Sequence, residues 1–122
     1  MNNFMGDREP NSPGEYLAFH KFLEISVPSE RFVFLDEHED SIGDGLFFSP
    51  VQSEWPNMAW EDIPSSRHGG GCDLSFADGH VEHKKWLDPR TRKPVTRTRS
   101  DFVYSQPNNV DALWVHDRTT NK

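Results

Sequence analysis

Residues 72–86 read CDLSFADGHVEHKKW, and this stretch decides the fold. Cys72, Leu74 and Phe76 alternate with polar residues, Val81 opens a second alternating run, and Asp78-Gly79 lies between them. This is the pattern of a β-hairpin with one face toward a core. A two-residue turn there needs positive φ at both central positions, which Asp and Gly accept at least cost. Just upstream, Ser66-Arg67-His68-Gly69-Gly70-Gly71 supplies three glycines, which let the backbone turn or pass close to another group without a Cβ clash.

Working outward, Arg31-Phe-Val-Phe-Leu-Asp36 is a short aromatic and β-branched run bounded by turn formers and reads as the central strand. The acidic stretch EHEDSIGDG at 37–45 reads as a tight loop leading to a second strand over 45–48. Pro50, Pro56 and Pro64 break the next segment, where Trp55 and Trp60 are expected to pin a loop onto the sheet. EYLAFHKFLEI at 15–25 leans toward a short helix or turn. Residues 101–105 suit an edge strand, and Asn108 or Asn109 can cap a terminal helix over 111–115, with Leu113 and Trp114 packing back. A polar arm over 1–14, expected to wrap or fray, thus precedes a single globular domain over 15–122. Together these elements predict an α+β domain: a small antiparallel β-sheet with long irregular loops.

Composition narrows the function classes. A chain of 122 residues fits one domain, with nine Phe and four Trp concentrating burial in a few large side chains. A net charge of −7 argues against general nucleic-acid binding, which needs a basic footprint. The charge is unevenly placed: residues 1–62 hold 13 of the 20 acids, while seven of the 13 Lys and Arg lie in KKWLDPRTRKPVTRTR at 84–99. That basic segment reads either as a solvated loop or as a contact for the acidic half of a neighbouring copy. Cys72 is the only cysteine, which excludes an intrachain disulfide and Cys-rich zinc sites. No stretch has the roughly 18–20 apolar residues of a membrane span, and no targeting signal is present.

His68, nine further residues and Asp78-Gly79 stand in the context RHGGGCDLSFADGHVEHKKW, which resembles the prepilin-type processing-associated H-X9-DG domain of pilin-like proteins related to type II secretion pseudopilins. VPSERFVFLDEHEDSIGDGLF at 27–47 and NNVDALWVHDRTT at 108–120 are similar to the same family. The resemblance implies a C-terminal pilin-like head lacking its N-terminal helix. It further implies a full-length protein anchored by a methylated apolar helix, in the cell envelope or outside the cell. Implied partners are other pilin-like subunits or secretion-system components, the role is structural rather than enzymatic, and no organic cofactor is expected. The start MNNFMGDRE looks internal, so an excised head is expected, with an apolar stripe exposed where the helix docks.

Three groups of residues invite chemistry. His68, Asp78 and His80 could meet as a metal or acid/base cluster, although Asp78 and Gly79 are needed by the turn and His68 is suited to bonding the backbone of the glycine loop. Asp36, Glu37, Glu39, Asp40 and Asp44 offer oxygen ligands for calcium, against the plainer reading of a solvated acidic loop. Trp55, Trp60, Trp86 and Trp114 could form a carbohydrate-facing platform, which makes a surface binding module the alternative function; as core or loop anchors they would not. No nucleophile with its activating partners can be read, so no catalytic residue is assigned.

Overall fold

The computed structural model of the protein describes residues 1–6, 16–99 and 103–121. In chain order its elements are β1 (Phe32–Leu35), β2 (Ala59–Trp60), β3 (Gly71–Phe76), β4 (Val81–Lys85), β5 (Tyr104–Ser105) and α1 (Val110–His116), with single 3₁₀ turns at Phe22–Glu24, Pro28–Glu30 and Pro50–Gln52. A three-stranded antiparallel sheet has the order β1-β3-β4, so the strand expected to be central, β1, lies at its edge and β3 takes the centre, while β2 pairs antiparallel with β5 in a separate ribbon. Among the described residues the domain is therefore mixed α and β, with a few short strands, one α-helix and mostly loops.

The hairpin forms where its alternation places it, with Cys72, Leu74 and Phe76 on the core face and Asp73 and Ser75 on the other. Its turn differs from the expected one. The Gly79 N–H donates to the Phe76 carbonyl at 3.0 Å and the Phe76 N–H to the His80 carbonyl at 2.9 Å, so the loop is 77–79. Gly79 alone enters the left-handed region, at φ 93°, in the three-residue connection that ends on a bulge. Asp78 holds the turn from its side chain, accepting the His80 N–H at 3.1 Å.

The strand expected over 45–48 is absent. Its amides are taken by side chains and by the first residues of the chain. Leu46 N–H donates to the Asp44 carboxylate and Phe48 N–H to Asp62, while Phe47 makes only an isolated parallel bridge with Asn2. Residues 1–6 wrap into the fold, with Asn2 and Phe4 fully buried, whereas residues 7–14 of the expected arm lie outside the described residues. In 16–25, Phe19 and Ile25 are buried and a single 3₁₀ turn leaves Leu23 92% exposed, so no amphipathic helix forms. Of the expected edge strand, Tyr104–Ser105 pairs with β2, and residues 101 and 102 lie outside the described residues.

One core joins these pieces: Phe32, Phe47, Met58, Trp60, Cys72, Leu74, Phe76, Trp86, Ala112 and Val115, with Leu113 and Trp114 packed at its edge. Asn109 caps α1, its side chain accepting from the Asp111 and Ala112 amides. Gly71 is where the hairpin leaves no room. A Cβ there would sit 2.1 Å from the Lys84 carbonyl oxygen, against backbone that cannot retreat without opening the ladder. Gly71→Ala is expected to cost about 2–4 kcal/mol in a urea melt. Gly45→Ala, where a Cβ meets nothing within 4 Å, is expected to stay within about 0.5 kcal/mol.

Candidate functional site

The residues of the H-X9-DG stretch occupy the two ends of β3. Six strand residues at roughly 3.3 Å each put about 20 Å between those ends, so His68 does not meet Asp78 and His80. At the near end, His68 and Gly71 exchange backbone hydrogen bonds of 3.2 Å, and Gly69 and Gly70 take positive φ. The His68 ring reaches away from the glycine loop to the Asp36 carboxylate, Nε2 to Oδ2 at 3.1 Å, with both side chains about half-exposed. At the far end, His80 Nδ1 lies 2.6 Å from the Asp78 carboxylate and its ring stacks on Phe76, centroids 4.4 Å apart. The His80 backbone N–H and then its ring hold the Asp78 carboxyl below its usual range.

A third histidine–carboxylate pair, His83 Nδ1 to Asp73 at 2.7 Å, lies on the same outer sheet face as Phe34, Ser75 and Val81. Behind it, on the core face, the Cys72 thiol is pushed up to about 12 by burial, with the Asp36 and Asp73 charges adding to the shift. It is a packing group rather than a nucleophile.

The acidic loop disperses its carboxylates. Asp36 faces His68, Glu39 pairs with Arg67 at 3.2 Å, and Asp44 closes its own turn on Leu46. Asp40 accepts from the Thr96 N–H at 2.6 Å and the Thr96 hydroxyl at 2.8 Å, the backbone bond leading in holding its carboxyl below the usual range. Buried His38 makes the matching contact, with Nδ1 accepting from the Asp40 N–H and Nε2–H donating to the Lys93 carbonyl. Residues 93–99 of the basic segment thus dock on the acidic loop of the same chain, around a pocket of about 300 Å³ lined by His38, Asp40, Lys93, Thr98 and Tyr104. Among the described residues no three His, Cys, Asp or Glu side chains group to hold a metal ion.

Glu37 is the most perturbed of the five. Burial first, then the Asp62 charge, raises its carboxyl to about 7, opposed by the Ser41 hydroxyl bond. The tryptophans split. Trp60 and Trp86 are core residues in edge-to-face contact at 6.5 Å, Trp114 takes the Lys84 and Arg118 cations over its ring at 5.1 and 4.1 Å, and Trp55 is half-exposed. A platform of four tryptophans is therefore not formed.

Sequence reasoning passed over three structural anchors. Asp111, fully buried, accepts the Leu87 and Asp88 amides at 2.8–3.1 Å. Asn2 donates to the Phe32 and Thr119 carbonyls, both at 2.8 Å. Arg31, nearly buried, donates to the Asn121 side chain and the Asp117 carbonyl, on the wall of an open groove of about 730 Å³ that Tyr16, Ser26 and His116 also line. Only long-range contacts reveal these roles, and no local pattern signals them.

No protein-family model, curated protein or solved structure matches the chain.

Two outcomes follow from this geometry. Asp111→Ala, which removes a buried carboxylate and its three part-buried amide hydrogen bonds, is expected to cost about 2–4 kcal/mol in chemical denaturation, whereas His68→Ala, which removes an exposed pair, costs at most about 1 kcal/mol. Because Glu37 titrates near 7 when folded against an ordinary 4.5, the stability it contributes is complete below pH 4.5 and is lost as pH rises through 7. Glu37→Gln should therefore raise the melting temperature at pH 8 by roughly 2–5 °C and leave it nearly unchanged at pH 4.

Proposed function

We propose that the chain is the globular head of a pseudopilin-like envelope protein, a structural or assembly subunit rather than an enzyme. The observation that carries the reading is the convergence of the three resembling segments on one core. Phe32 and Phe47 come from the first, Cys72, Leu74, Phe76 and Trp86 from the second, and Ala112 and Val115 from the third. A match of three separated stretches has physical meaning when those stretches build one packed unit, because they then constrain one another.

The motif residues support the same reading through the work they do. Gly79 and Asp78 make the hairpin turn, Gly71 lets β3 and β4 close, and His68 ties the glycine loop to the end of β1. These are jobs of scaffolding, and a scaffold fits a subunit whose surface meets other subunits or secretion-system components at the cell envelope. Exposed Leu17, Phe22 and Leu23 on the 16–25 segment are in keeping with a head that packs against further apolar structure.

Mass-spectrometric mapping of envelope fractions from the source organism tests this. Peptides joining Met1 to an upstream N-methylated apolar helix are the expected result. A native protein that starts at Met1 and stays out of the envelope fraction would overturn the reading.

A further inference from the structure

We propose that strand β4 is a self-pairing edge, joining a second copy of this chain as an antiparallel β4–β4 ladder about a two-fold axis through His83. This inference uses the sheet edge alone and does not depend on the pilin-like reading. β4 ends the sheet order β1-β3-β4, and among the described residues no strand covers its outer side. The ladder to β3 uses alternate residues: the His80 carbonyl accepts from Phe76, and the Trp86 N–H donates to Gly70. The period of two assigns Glu82 and Lys84 to the same inward set and turns the backbone groups of Val81, His83 and Lys85 outward, where no strand of the described residues meets them.

Edge strands commonly carry charge to prevent pairing, and Val81-Glu82-His83-Lys84-Lys85 is charged. Its charges are, however, self-complementary in one register. A two-fold axis normal to the sheet keeps each face on its own side, so a one-residue slip is excluded. An axis at Glu82 sets Glu against Glu, and an axis at Lys84 sets Lys against Lys. The axis at His83 sets Glu82 against Lys84 of the second copy, twice, so that the incoming carboxylate meets an ammonium that already lies over Trp114 and 3.9 Å from Asp111 with its side chain 15% exposed, and it makes His83–His83 and Val81–Lys85 the hydrogen-bonded pairs. Such an interface is isologous and closes at two subunits. It also extends the outer row of Phe34, Ser75 and Val81, in which Val81 is 67% exposed, onto the Lys85 stem of the second copy.

Sedimentation equilibrium over roughly 10 μM to 1 mM, paired with amide hydrogen exchange, tests the proposal. The expected result is a monomer–dimer equilibrium in which the Val81, His83 and Lys85 amides gain protection as concentration rises. Glu82→Lys should weaken the dimer about tenfold or more by replacing attraction with repulsion in both cross-strand pairs. His83→Pro removes an outward N–H without touching the β3 ladder and should abolish the dimer, circular dichroism confirming that the variant remains folded. A protein still monomeric at 1 mM overturns the proposal. So does a dimer that survives either folded variant, or one that forms without protecting those three amides.

Discussion

The carboxylate of Asp111 carries a burden out of proportion to its size. It is fully buried, and backbone amides surround it more closely than any cation: Leu87 and Asp88 donate to it, while the Lys84 ammonium stays 3.9 Å away. In a domain with one helix and short strands, most loop amides cannot find a ladder partner, and each buried one must be satisfied by a side chain. Asp111 does this for the chain leaving β4. Asn109, two residues earlier, caps α1 and also bonds Thr91 and Gln106. Asn2 serves carbonyls instead, donating to Phe32 in β1 and to Thr119 after α1 and so bridging the two segments. These few buried polar groups fix how the hairpin, the helix and the basic segment sit together, and the aromatic core packs within the frame they set.

This explains which parts of the fold were legible in the sequence. The hairpin and β1 announce themselves because alternation and an Asp-Gly turn are local signals. The helix cap is legible for the same reason, since Asn109 acts on amides two and three residues away. The expected 45–48 strand fails for a reason only partly local. Its amides are claimed by Asp62, distant in sequence, and by Asp44, whose short reach competes with a ladder. Asp111 looks like an ordinary first-turn acid, and only the fold brings residues 87 and 88 to it.

The candidate site was legible in type and hidden in arrangement. His68 and Asp78 stand close in sequence, yet a β-strand between them keeps them apart, because an extended chain converts every residue of spacing into distance. Asp36, on a different strand, is the carboxylate His68 meets. The acidic loop likewise reads as one charged patch, whereas its carboxylates turn toward separate donors: an imidazole, a guanidinium, a hydroxyl and two backbone amides.

The basic segment meets the acidic loop inside the chain through neutral groups of its own. Residues 93–99 lie over the acidic loop through Asp40 and His38, so the two halves of opposite sign meet each other first. What remains for contacts between molecules is local pattern rather than the overall field. A chain of net charge −7 repels its copies at long range, but at physiological ionic strength that repulsion fades within about 8 Å. Side chains facing one another across a strand pair are closer than this, at about 5 Å. Whether two copies attract is therefore decided by the sequence of charges along the meeting edge, and an edge with Glu and Lys placed symmetrically about a central residue can attract itself within a protein that is acidic as a whole.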